Sequence, residues 1–384
     1  MGIIMGADTA TNTQPAASSG TLCVIVFGIP YNLMRPKILS KMLLIFPQTA
    51  LNLTKTTDKT MEKLRFIDLF CGIGGFRVAM DQACTENDLI PQCVFSSDID
   101  TYCQDSYETN FGHRPTGDIT KVDPKKIPNH DILFAGFPCQ PFSIIGQMKG
   151  FDDTRGTLFF HIANIIKEKK PKAFVLENVK QLVGHNQGQT LKVIIKTLQD
   201  LGYHVRYTVL NALDYGLPQK RERVLIVGHK EPIMFSYPSP VRPFKPLSEI
   251  LEKKIDKKHI ASDYIKTKRK EKHKSAYKLS IWHENKAGNI CSYPYSCALR
   301  AGASYNYLLV NGERRLTPRE MFRLQGFPDT YKIVTNDTQA RKQAGNAVPV
   351  NMVKAVILKL LPYVANTLDM TNVLREYEVE YNSK

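Results

Sequence analysis

Apolar positions along the chain fall into short runs separated by glycine, proline and polar clusters. Leu64–Phe70 is apolar at most positions and predicts a buried strand. The glycine loop Cys71–Gly75 follows, and Phe76–Cys84 predicts a helix. Further strands are expected at Cys93–Ser97, Asp131–Ala135, Ala173–Leu176 and Val224–Val227. Leu158–Lys167 carries Phe159, Ile162, Ile165 and Ile166 at helical spacing, and Leu191–Leu201 predicts another helix. Strands alternating with helices argue for an α/β fold with a mostly parallel sheet. Ligands in such sheets sit at the carboxyl ends of strands, where each polar motif of this region falls.

The pattern breaks at both sides of this core. Residues 1–60 hold seven charged residues, and Pro30, Pro36 and Pro47 interrupt their apolar stretch. They read as a poorly ordered, dispensable extension, with a partner-binding arm as the competing reading. A chain beginning at Met61 is expected to keep full activity; loss of folding or turnover in that chain would reverse the reading. Pro238, Pro240, Pro243 and Pro246 form a linker after Tyr237. Helical order returns at Pro318–Leu324 and Val350–Leu361.

Charge narrows the class of partner. The 384 residues include 52 Lys and Arg against 36 Asp and Glu, a formal net charge of +16. Residues 241–290 alone hold 14 basic and 6 acidic residues, half of that excess. A polyanion is the indicated partner, nucleic acid before membrane. The apolar run Leu22–Ile29 is far short of the ~20 residues of a membrane span. Eight dispersed cysteines, without a C-x-x-C pair, fit a reduced cytoplasm better than disulfides or zinc.

Several motifs carry candidate chemistry. Gly72-Ile73-Gly74-Gly75 lets backbone approach a nucleotide-like ligand, and Asp98 ends the next strand, placed to bind ribose hydroxyls. These features alone leave NAD and S-adenosylmethionine both open. Pro138-Cys139-Gln140 puts a thiol at a strand end within a proline-bounded turn. Glu177 follows an apolar strand, where burial would raise its pKa. Gln219-Lys220-Arg221-Glu222-Arg223 precedes another strand, and alternation would put both arginines on one face. Arg315-Leu316-Thr317-Pro318-Arg319-Glu320, then Arg323-Leu324-Gln325-Gly326-Phe327-Pro328, then Gly345-Asn346-Ala347-Val348-Pro349 follow in that order.

This succession closely resembles the cytosine-C5 DNA methyltransferase family, especially its bacterial restriction–modification members. The resemblance covers residues 64–237 and 312–360, with 238–311 matching by position only. It implies a Rossmann-like S-adenosylmethionine-dependent domain and a smaller target-recognition domain. Residues 61–237 would be the first catalytic part, 238–317 the target-recognition domain, 318–340 a hinge and 341–384 the catalytic completion. The resemblance makes Cys139 the nucleophile at cytosine C6, with Glu177 at N3, Arg223 at O2, and Arg221 supporting the catalytic loop and phosphates. It assigns cofactor contacts to Phe66, Gly72, Gly74, Asp98, Ile99, Asp118, Ile119, Pro138, Leu158, Asn346 and Val348. Residues 143–158 match a loop that closes over a flipped base, and no metal is expected.

The implied partner is double-stranded DNA, bound by a cytoplasmic monomer with a cognate restriction endonuclease for the same site. Arg300 and Asn306 are candidate base readers. The chain departs from the family at Cys297-Ala298-Leu299-Arg300, where many relatives have a threonine touching the flipped nucleotide. Three rival readings remain at this level: RNA cytosine methylation with the same motifs, a non-catalytic DNA binder, and an NAD-dependent oxidoreductase.

Overall fold

Burial along the strands follows a period of two and divides the apolar residues between the two faces of one sheet. The computed structural model describes residues 61–138, 158–241 and 243–365. The expectations for residues 1–60, for Cys139 and residues 143–157, and for 366–384 lie outside the described residues.

The sheet contains β1 (Lys63–Leu69), β2 (Ile90–Ser97), β3 (Ile132–Gly136), β4 (Ala173–Val179), β5 (His204–Asn211) and, past the separate β6 (Gln219–Lys220), β7 (Glu222–His229). Its order is β2-β1-β3-β4-β7-β5. β7 runs antiparallel to both neighbours, and the other pairs are parallel. The chain leaves β1 for β2 on one side and returns to β3 on the other. That reversal opens a crevice at the carboxyl end of β1, where α/β sheets bind ligands. The Rossmann-like α/β reading of the sequence is borne out.

Helices cover both faces. On one face lie α1 (Gly75–Thr85) and, from the far end of the chain, α9 (Val350–Val364). They pack on Leu64, Phe66, Phe134, Val175, Leu225 and Val227. On the other lie α3 (Leu158–Lys169) and α4 (Gln189–Asp200), against Ile67, Leu133, Leu176 and Ile226. Between α1 and α3, α2 (Thr101–Phe111) begins at Asp100, whose side chain accepts from Tyr102 N. The apolar stretch Asp337–Val364 is long enough to cross a membrane by composition, but most of it is buried in the core.

The segment after the proline-rich linker is built from short pieces: α5 (Leu247–Ile250), α6 (Asp263–Lys272), β8 (Ile281–Glu284), β9 (Ile290–Tyr293), β10 (Ser296–Cys297) and β11 (Leu308–Val310). β11, β8 and β9 form an antiparallel sheet, while β10 pairs with β6. Ile281, Leu308, Val310 and Leu316 belong to the same apolar cluster as Leu64 and Phe66. The expected boundary at 238 therefore does not mark a break in the core. The region expected to be a hinge contains α7 (Pro318–Leu324), with Thr317 and Glu320 forming a reciprocal cap at its N-terminus. It also packs Met321, Phe322, Leu324 and Phe327 into the core. α8 (Asp337–Asn346) precedes α9.

Candidate active site

The glycine loop is held open by backbone and aromatic contacts. Gly72 and Gly74 have φ of 53° and 78°, in the left-handed region that favours glycine. The space above Gly72 is clear, whereas a Cβ on Gly74 would collide with the Phe111 ring. Tyr331 donates its hydroxyl proton to Ile73 O at 2.9 Å and ties the loop to the later part of the chain. Asp98 accepts from Gly72 N at 2.7 Å and Asp100 N at 2.9 Å. Burial pushes its carboxyl above the ordinary value, and those two N–H groups pull it back. Beside it Ile99 is 74% exposed, a free apolar face at the end of β2.

The other cofactor candidates line the same end of the sheet. Asp118 is half-buried, accepts from Thr120 N and Oγ1, and is followed by the buried Ile119. Pro138 is exposed just past β3, and Leu158 is half-buried at the first position of α3. Asn346 is exposed at the last position of α8, while buried Val348 packs beneath Gly75 and Gly136. Phe66 requires a correction. Its ring is fully buried in mid-strand at 5.7 Å from that of Phe134, so it offers no surface to a ligand. Phe70, half-buried with φ of 54° at the end of β1, is the aromatic at the strand end.

The strand ends of β3, β4 and β7 bring the catalytic candidates together. Gly136 is in register with Glu177, and a Cβ on it would lie 3.7 Å from Glu177 Oε2. Glu177 therefore sits beside the residues that lead into Cys139. Asn178 is buried and donates Nδ2 to Phe137 O at 2.9 Å, which fixes the backbone two residues before Cys139. Glu177 and Arg223 share a sheet face, and Arg223 Nε lies 2.8 Å from Glu177 Oε1. Burial raises the Glu177 pKa, and Arg223 and Arg221 pull it back without cancelling the rise.

Arg221 is placed differently from its neighbour. It is fully buried and donates to Leu299 O at 2.9 Å, Gly345 O at 3.1 Å and Ala347 O at 2.8 Å. Its guanidinium thus faces carbonyls rather than phosphates, which corrects the phosphate half of its expected role. Gln219, also fully buried, accepts from Leu299 N at 2.9 Å and donates to Leu324 O and Gln325 Oε1. Gln325 donates to Ala344 O and Ala347 O. Sequence reasoning missed this polar hub, although both glutamines lie in motifs it quoted. Asn306 is tied inward as well. Its Oδ1 accepts from Arg315 Nε at 2.8 Å and its carbonyl from Arg269, so that oxygen is withdrawn from base reading.

A family model described as C-5 cytosine-specific DNA methylase matches residues 64–361. The chain belongs to this family. The DNA methylase chain has close curated relatives. The type II methyltransferase M.NgoBI of Neisseria gonorrhoeae is 55% identical over 293 residues, covering 75% of this chain and 90% of its own. M.HaeII of Haemophilus aegyptius is 51% identical over 313 residues, covering 81% of this chain and 95% of its own. The S. pombe Dnmt2 methyltransferase structure aligns with TM-score 0.60 at 21% identity, covering 78% and 98% of the two chains. A putative DNA modification methyltransferase of an E. coli prophage gives 0.58 at 21%, covering 79% and 99%. At that identity the two structures show the fold.

In this C5 methylase chain the carboxyl end of β1 and β2 brings Gly72, Asp98 and Ile99 together. It offers open backbone, a carboxylate and an apolar face. Gly74→Ala should lower the unfolding free energy by about 1–3 kcal/mol, through the collision with Phe111 and the unfavourable φ. It should also weaken S-adenosylmethionine binding. Thermal melts and calorimetric titration check both.

Proposed function

We propose that this DNA (cytosine-5-)-methyltransferase flips a cytosine out of a specific duplex sequence and methylates it through a covalent adduct between Cys139 and C6. The observation that carries the reading is the buried Glu177, held by Arg223 at 2.8 Å and adjacent to the backbone that leads into Cys139. S-Adenosylmethionine, when bound, supplies the methyl group on a sulfonium centre. Gly72, Gly74, Asp98 and Ile99 would hold its adenosyl part, with Asp98 facing the ribose hydroxyls.

The residues divide the work. Addition of the Cys139 thiolate at C6 makes C5 electron-rich, and a proton on N3 stabilises the charge that develops on the ring. Glu177 is suited to give that proton, because burial favours its neutral form. Arg223 holds the Glu177 carboxyl and would face the base O2. Arg221 touches no reacting atom in this scheme; it positions the strand that carries Arg223. The activated C5 takes up the methyl group; loss of its proton to solvent then expels the Cys139 thiolate, the N3 proton returns to Glu177, and the aromatic ring is restored. Flipping the base costs about a few kcal/mol, offset by contacts in the pocket.

The type II designation of the relatives supports a role in restriction–modification, with a cognate endonuclease for the same site. A cytoplasmic monomer acting on host DNA belongs to the same reading, as does a target-recognition role for 238–317. The test uses duplex DNA of mixed sequence and tritiated S-adenosylmethionine, followed by base-resolution mapping. Methylcytosine at one short motif is expected. Cofactor binding without incorporation into DNA would redirect the assignment to RNA cytosine, and then to a non-catalytic binder.

A further inference from the structure

Two exposed cations stand on the segments that surround the Glu177–Arg223 pair, and the scheme above uses neither. β6 and β10 form a parallel two-residue ribbon that pairs Ser296 with Gln219 and Cys297 with Lys220. Side chains alternate along a strand. Ser296 and Gln219 are fully buried, so Lys220 and Cys297 project from the opposite side, and Lys220 is exposed. Arg300, three residues past Cys297, is exposed as well. Leu299, next to Arg300, bonds to Gln219 and Arg221, the two residues that flank Lys220, so the two cations stand on adjoining segments.

The backbone at Arg300 is fixed on every side. Leu299 N donates to Gln219, and Leu299 O accepts from Arg221, both at 2.9 Å. Arg300 N donates to the Tyr307 hydroxyl at 3.0 Å. A Cβ on Gly345 would collide with the Ala301 backbone, so the two chain segments touch. The Arg300 guanidinium stands 4.9 Å from the Tyr307 ring centroid. Among the described residues, no ion pair engages Lys220 or Arg300, although Arg223, Glu222 and Arg314 nearby are paired. Two unneutralised cations on a rigid frame are preorganised for an oxyanion, and a guanidinium matches a phosphate with two parallel donors.

We propose that Lys220 and Arg300 grip a phosphodiester of the strand that carries the target base, beside the flipped nucleotide. This rests on the DNA-methyltransferase reading. Lys220 adjoins Arg221 and lies three residues before Arg223, which the same chain segment places against Glu177. A phosphate gripped there belongs to the nucleotide whose base reaches Glu177, or to its immediate neighbour. The contact positions DNA and carries no sequence information.

The test measures duplex binding against salt for the full chain and for Lys220→Gln, Arg300→Gln and Arg300→Lys. Each glutamine substitution should reduce the slope of log Kd against log salt by about 1. The loss should appear in KM for DNA more than in kcat, and S-adenosylmethionine affinity, measured calorimetrically, should hold and report an intact fold. Arg300→Lys should keep the slope.

A second arm replaces single phosphates with uncharged methylphosphonates along the target strand. One replacement flanking the target should weaken the unsubstituted chain about tenfold and cost Arg300→Gln distinctly less, since only Lys220 still engages that phosphate. Unchanged salt slopes, or a methylphosphonate loss that is as large in Arg300→Gln, would overturn the proposal. A chain that binds duplex with these slopes yet transfers no methyl would sink the catalytic reading and leave the grip supported. A chain that binds no duplex would sink both.

Discussion

Cys139→Ala should remove methyl transfer, by at least about 10⁴-fold in kcat, while S-adenosylmethionine still binds. The size follows from the substrate. C5 of aromatic cytosine is a weak nucleophile toward a sulfonium methyl, and the thiolate at C6 is what converts the ring into an enamine. Among the described residues, the cysteines near the glycine loop, Cys71 and Cys103, are unsuited to that covalent step, being buried with thiols pushed up by desolvation. Cofactor affinity should persist because Gly72, Gly74 and Asp98 hang on β1 and β2, which pair directly with each other. Tritium incorporation and calorimetric titration read the two quantities separately. Substantial residual turnover would show that the thiol is not the nucleophile.

Glu177→Gln should lower kcat by about 10²–10⁴-fold and weaken DNA binding much less. Glutamine keeps a hydrogen-bond donor toward N3 but has no proton to give. The pH profile adds a sign. Burial raises the Glu177 pKa above the ordinary 4.5, so the protonated, donating form persists to higher pH than in an exposed glutamate. As pH rises through the raised value the carboxyl ionises, and the rate of adduct formation should fall along that limb. The limb should vanish in Glu177→Gln. If the variant lost only DNA affinity and kept the limb, another group would be the donor.

Much of this molecule was legible from its sequence because the decisive signals are local. Leu64–Phe70 is apolar and ends at glycines, which suffices to predict a strand, a tight turn and a ligand-facing edge. The helix expected from spacing at Leu158–Lys167 and the strand expected from its apolar run at Ala173–Leu176 are found as Leu158–Lys169 and Ala173–Val179. The helix Thr101–Phe111 was not predicted, because its residues carry little apolar periodicity and its start depends on the Asp100 cap. The strand His204–Asn211 lies at the sheet edge, half-buried and without a clean alternation, and was missed for that reason.

The sequence by itself determined the residue types of the site, their order and the strand ends that carry them, since each motif is contained within a few residues. Tertiary structure alone decided which of those residues meet. Arg221 and Arg223 are two residues apart, yet one faces Glu177 while the other is sealed among carbonyls of Leu299, Gly345 and Ala347. Those partners lie 78 to 126 positions away, beyond the reach of any periodicity. Phe66 turned inward and Phe70 stayed at the edge because a ligand meets only the last residues of a strand, while the middle is packed on both faces. Burial, which raises the Glu177 pKa, exists only once β3 and β7 bring Gly136 and Arg223 against that carboxyl on β4.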